Sequence, residues 1–187
     1  MKIRTFLLTG ATPIAIGVVA GIYSFTLISS PWIVNAKEAK ITWDQPKSKH
    51  SGTFTGLNAT IDLDPLTPGT AVINATIDAT TLNTANEKRD AHLKSVEFFD
   101  VEKHPLISFT SEKVVKTDAG FVATGKLSLR DSVRTIDIPF QMIESPAGSL
   151  LKGTMTIFSG DYGVGKKSVD GKDSTIVTIE VPVTKPN

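Results

Sequence analysis

The residues that could carry chemistry are few and sparsely spaced. His50, His92 and His104 lie far apart, and none stands in an H-x-H or H-x-x-x-H pairing that would put two imidazoles on one face. No metal site is expected from them. The chain has no cysteine, which removes thiolate nucleophiles, thiolate metal ligands and disulfides together. Asp62 and Asp64 have the i, i+2 spacing that aligns two carboxylates on a strand, but Asp64-Pro65 reads as a turn, so a glycosidase-like pair is nonspecific here. Gly160 to Gly165 contains G-x-x-G-x-G, yet no helical pattern follows to aim backbone amides at a phosphate. A loop or bulge is the better reading. Asn58-Ala-Thr60 and Asn74-Ala-Thr76 match glycosylation sequons but fall within strand patterns. The expectation is a protein with no catalytic residue, no metal and no cofactor.

Charge points the same way. Lys and Arg number 20 and Asp and Glu 19, a formal charge of +1. Removing Lys2 and Arg4 with a cleaved leader leaves 18 against 19, or −1. Near-neutrality argues against nucleic acid as a partner. With 187 residues, 40% hydrophobic and 21% charged, the chain has the composition of one globular domain with an appendage.

The appendage is the N-terminus. Met1 to Arg4 carries two positive charges, after which no ionisable charge occurs from Thr5 to Ala36. That run is long enough for a secretory h-region or for a spanning helix. Residues 1–36 therefore read as a signal peptide, cut after Val34-Asn35-Ala36, or as an uncleaved membrane anchor formed by an apolar helix. Either outcome exports the rest, because Lys2 and Arg4 remain inside.

Residues 40–187 read as a single all-β antiparallel domain. Apolar residues alternate at Leu57, Ala59, Ile61, Leu63; at Ala71 to Ala79; at Phe121 to Leu129; at Ile136 to Met142; at Leu151 to Ile157; and at Val177 to Val183. Ile107-Phe109 and a short first strand at Ile41 to Trp43 bring the expected count to eight strands, which close as a barrel or pack as a sandwich. One interval, about 84–104, breaks the pattern. Thr84 and Glu87 have capping-box spacing, so a helix is predicted from about Ala85 to Ser95, with Leu93 and Val96 sharing a face and an Asp90–Lys94 ion pair along it.

At this interval the chain resembles a family. Arg89-Asp90-Ala-His92-Leu93-Lys-Ser95-Val-Glu-Phe98-Phe99-Asp100-Val101, followed by Pro105, Ile107, Phe109 and Ser111, is similar to the signature run of the YceI-like family. Gly52 to Pro65, Gly125 to Leu129 with Pro139-Phe140, and Asp161-Tyr162-Gly163-Val164-Gly165 resemble its other blocks in the same order. Two departures stand out: Pro46 interrupts the first strand, and Arg130-Asp131 replaces a glycine turn, with Asp131 expected to take the positive-φ position.

The resemblance implies an eight-stranded lipocalin-like barrel, exported to the bacterial periplasm or the periplasmic face of the inner membrane. It would hold a polyisoprenoid, such as a quinone or polyprenyl lipid, or another long-chain amphiphile as carrier, store or scavenger, and would not be an enzyme. On that reading Phe54, Phe98, Phe99, Phe109, Phe121, Phe158 and Tyr162 line or close a tunnel, and Arg89, His92 and Lys94 meet a polar headgroup. Small residues at Ala59, Ala71, Ala75, Ala79, Ala123, Gly125 and Gly153 either leave that tunnel open or let packed elements approach closely. Two rivals remain at this stage. One is a membrane-tethered, packed barrel that serves as an interaction module. The other is an isoprenoid-modifying enzyme with His92 as its titratable group.

Overall fold

The computed structural model describes residues 31–185. Ten strands form one curled antiparallel sheet. They are β1 (Ile33–Val34), β2 (Lys40–Gln45), β3 (His50–Phe54), β4 (Asn58–Asp62), β5 (Val72–Asp78), β6 (Leu106–Thr117), β7 (Gly120–Leu129), β8 (Ser132–Ser145), β9 (Gly148–Phe158) and β10 (Ser174–Thr184). From β4 to β10 each neighbour in sequence is a neighbour in space, a meander built of hairpins. The inward face of each strand carries the alternating apolar residues, as in β7, where Phe121, Ala123, Leu127 and Leu129 are buried between more exposed neighbours.

The count is ten where the alternation predicts eight. The first two passes of the chain are each broken in two. β1 and β2 follow one another along a single edge of β10, through Val34↔Val183 and Lys40↔Glu180. β3 pairs with β2, and β4 with β5. Between β3 and β4 the chain jogs at Gly56, whose φ of +70° costs a residue without Cβ little. The break at Pro46 is a turn between β2 and β3, because a proline offers no N–H to a ladder. The sheet curls until its two ends meet at Trp32, whose backbone N–H donates to the Ile61 carbonyl at 2.7 Å.

The insert between β5 and β6 holds one helix, α1 (Glu87–Lys94). It starts later than the capping-box spacing predicts. Ala85 has φ +57°, which no helical residue adopts, and the cap is Asn86, whose side-chain oxygen accepts from the Arg89 backbone N–H at 3.0 Å. Thr84 is instead held by Asp90, which accepts from its N–H at 2.8 Å and its hydroxyl at 2.6 Å. Lys94, the predicted partner, acts on Asp90 as a further nearby positive charge. Leu93 packs on the core while Val96 is exposed, so the two do not share a buried face.

At the β7–β8 turn the positive-φ residue is Arg130, at +53°, and not Asp131. Its guanidinium donates to the carbonyls of Phe98, at 2.6 Å, and of Gly163, lacing the insert to the β9–β10 loop. The loop reading of Gly160 to Gly165 holds: a short 3-10 turn spans Ser159–Tyr162. The expected N-terminal apolar helix lies outside the described residues, although Trp32, Ile33 and Val34, read with the leader, are built into the sheet. Among the described residues no helix is long and apolar enough to cross a membrane.

Candidate functional site

The curled sheet encloses a cavity of about 220 Å³. Its wall draws on the inward face of every strand from β2 to β10, so the period-2 alternation that makes the strands also makes the site. The lid side comes from the insert and the β9–β10 loop, through Leu93, Phe98, Phe99 and Val164. Among the described residues the wall carries no charged side chain: its polar members are Gln45, Ser108, Ser159 and Thr175, with the Trp43 indole. Such a chamber offers burial to an apolar molecule.

Small side chains leave this space, though not all of those expected to. Ala59, Ala75, Ala123 and Gly153 line it. Ala79 is fully buried in the 3-10 turn Ala79–Thr81 after β5. Gly125 serves close approach: a Cβ there would stand 2.3 Å from the Thr110 carbonyl oxygen and 2.8 Å from the Phe109 ring. Gly125 lies diagonal to Phe109, whose direct cross-strand partner is Leu127, and its missing side chain leaves room for the Phe109 ring at the cavity.

Of the seven aromatic residues predicted to line a tunnel, Phe54, Phe98, Phe99 and Phe109 do, with Phe54 and Phe99 edge to face at 5.6 Å. Phe121 is buried outside the lining and stacks on Phe140, which does line the cavity, at 5.4 Å. Phe158 is 47% exposed. Tyr162 is buried under the Arg134 guanidinium, 5.7 Å from its ring centre, and burial raises its phenol pKa.

The three headgroup candidates do not line the cavity. Arg89 donates from Nε to the Thr84 hydroxyl at 2.9 Å and from its terminal nitrogen to the Thr84 carbonyl at 3.2 Å. His92 lies 3.1 Å from Glu97 and edge-on to Phe98 at 4.8 Å. Lys94 ends α1, where a cation faces the helix's carbonyl end. Asp90 takes two hydrogen bonds from Thr84, and these, the hydroxyl first, hold its carboxyl below the usual range. The signature run thus builds the insert and sends two phenylalanines inward.

The cavity's polar end was missed from sequence. Gln45 Nε2 donates to the Thr175 hydroxyl at 2.9 Å and to the Ser159 hydroxyl at 3.5 Å, and both hydroxyls donate to the Asp173 carbonyl at 3.3 Å. A signal existed. Ile41-Trp43-Gln45, Met155-Ile157-Ser159 and Val181-Ile179-Val177-Thr175 each continue an inward alternation by one step into a polar residue. Ending each strand at its last apolar residue hides it.

A hollow, apolar, curled antiparallel sheet with a helical insert defines a lipocalin-like class of chamber. The YceI-like domain family model matches residues 32–184, and the chain belongs to that family. Among curated relatives, a UPF0312 protein of Pectobacterium atrosepticum is 31% identical over 105 residues, covering 54% of this chain and 55% of that protein. Protein YceI of Escherichia coli O157:H7 is 32% identical over 92 residues, or 49% and 48%. The chain spans about half the length of the curated relatives it matches. Among solved structures, Burkholderia cenocepacia BcnA superposes with a TM-score of 0.73 at 18% identity, covering 82% of this chain and all of that one. The Campylobacter jejuni YCEI protein gives 0.63 at 25% identity over 72% and 85%. A polyisoprenoid binding domain from Saccharophagus degradans, implicated in plant cell wall breakdown, gives 0.61 at 13% identity over 83% and 98%.

Proposed function

We propose that this protein binds a polyisoprenoid or a similar long-chain amphiphile inside the curled sheet and acts as a non-enzymatic carrier, store or scavenger. The observation that carries the proposal is the cavity wall, in which apolar side chains from nine strands and the insert surround a space free of charged groups. A prenyl tail needs no more than this. Each buried methylene contributes about 0.8 kcal/mol, so three or four isoprene units supply roughly 12 to 16 kcal/mol of gross transfer energy. Association costs of about 4 to 15 kcal/mol offset much of it. The fold shared with a polyisoprenoid binding domain supports the same reading. The charge-free run that starts at Thr5 behind Lys2 and Arg4 supports export to the periplasm or the periplasmic face of the inner membrane, with the part of it before Trp32 as leader or tether, since Trp32 to Val34 belong to the sheet.

The packed-module reading needs a filled interior, and the apolar cavity inside the curl favours the ligand reading over it. The enzymatic reading needs His92 beside the tail, and His92 lies against Glu97 outside the lining. Native mass spectrometry of the full chain purified gently from its own host, followed by organic extraction, tests the proposal. A stoichiometric prenyl lipid is the expected result. Protein that carries none and takes up none when prenyl lipids are added overturns it.

A further inference from the structure

We infer that the cavity selects a neutral polar head, an alcohol, phenol or quinone carbonyl, over a phosphorylated one, and that Gln45, Ser159 and Thr175 form the subsite that receives it. The inference rests on the lipid-binding reading and goes further, to the class of head. Three observations carry it.

First, the three side chains sit together at one end of the cavity, between the β2–β3 turn and the β9–β10 loop, and all three line it. Everything beyond them along β2, β9 and β10 on the inward face is apolar: Ile41, Ile157, Met155, Val177, Ile179, Val181. A chain laid along that face has one polar place for its head. Two residues before Gln45 on the same face, the buried Trp43 indole N–H has no hydrogen-bond partner among the described residues. Buried donors are normally paired, so this one marks a place where a ligand acceptor is accommodated.

Second, the subsite's chemistry suits a neutral group. The Gln45 amide nitrogen donates to both hydroxyl oxygens and both hydroxyl protons go to the Asp173 carbonyl, which leaves the Gln45 side-chain carbonyl oxygen and the Trp43 indole N–H to meet a ligand. The amide oxygen accepts from an alcohol or phenol, and the indole N–H donates to a quinone carbonyl.

Third, nothing there neutralises a phosphate. No Lys, Arg or His lines the cavity. The acidic residue backing the subsite, Asp173, is itself buried. The neighbouring rim cations are engaged locally: Lys167 with Asp161 at 2.5 Å, Lys172 with Asp170 at 2.9 Å, and Lys47 with the Asp170 carbonyl. Taking a diphosphate into such a wall leaves buried charge without a partner, and burying an ion unpaired is far costlier than burying a hydroxyl that finds one.

The test measures binding to the full chain of four probes with one tail: geranylgeraniol, a benzoquinone bearing the geranylgeranyl chain, geranylgeranyl diphosphate and the head-free hydrocarbon of the same length. The alcohol and the quinone should bind more tightly than the diphosphate by about 100-fold. Gln45→Leu should weaken the alcohol and quinone by about tenfold while leaving the hydrocarbon unchanged. Thr175→Val, which keeps the side chain's shape, should do the same in smaller measure and serves if Gln45→Leu does not fold. Diphosphate binding equal to that of the alcohol would put the head outside the cavity and overturn the inference. So would a loss in Gln45→Leu and Thr175→Val shared equally by all four probes. Failure of every probe to bind wild-type protein instead overturns the lipid-binding reading itself.

Discussion

Arg89 shows how a residue in a family signature can work. Its guanidinium and the Asp90 carboxylate converge on Thr84, one holding the hydroxyl and carbonyl, the other the hydroxyl and amide. The three fix the entry to α1, and Leu93, Phe98 and Phe99 downstream are thereby placed over the cavity. Replacing Arg89 by Ala should cost about 1 to 2 kcal/mol of stability in a denaturant titration. Affinity for a prenyl alcohol, corrected for folded fraction, should not follow the lost charge. The same knot gives a pH dependence. The Asp90 carboxyl is held below its ordinary value chiefly by the Thr84 hydroxyl, as Asp78's is by Thr80. A depressed folded-state pKa contributes stability above the unfolded value, near about 4, and that contribution is lost as pH falls through the folded value. Thermal melts should therefore be flat from neutral pH down to about 5 and fall below about 4. Asp90→Asn should show a shallower acid limb than wild type.

At the scale of elements, the cavity is a property of strand faces. Ala75 on β5 stands opposite Ala59 on β4 and Phe109 on β6, and both alanines line the space. Ala75→Trp puts a large side chain into that space without breaking a ladder. It should lower prenyl-alcohol affinity at least about tenfold, with a stability change within about 1 to 3 kcal/mol, read by titration and by melting. Gly125→Ala is the contrasting case: its new methyl meets the Thr110 carbonyl and Phe109, so stability falls whether or not lipid is present. The alternation in β5, β7, β9 and β10 was legible in the sequence because each strand buries one face only. So were the interruption at Pro46 and the presence of the insert. Less legible were the residues whose job is set by a neighbour far away in sequence. Arg130 reaches the insert, Gly125 yields to Phe109, and Gln45 meets Thr175 130 residues later. Spacing along the chain does not record such meetings. Asn86 could have been read as the cap, yet the Thr84–Glu87 spacing competed with it, and only the left-handed Ala85 decides.

At the scale of the molecule, the sheet depends on where its ends meet. Trp32 is 8% exposed, donates its indole N–H to the Leu63 carbonyl at 2.8 Å and its backbone N–H to Ile61, and carries Lys185 5.5 Å over its ring. Trp32→Ala should cost about 3 to 5 kcal/mol and loosen the seam between β1 and β4, which faster hydrogen exchange of the backbone amide at position 32 would report. The account as a whole makes one claim above the others, that the lipid lies inside the curl. Photolabelling of the full chain with a prenyl alcohol carrying a diazirine near its tail end tests this most directly. The label should fall on inward residues such as Ile77, Ile107 and Leu127, and the Ala75→Trp variant should abolish it. Label concentrated on exposed apolar residues such as Leu66 and Val169, and unchanged in that variant, would contradict the account.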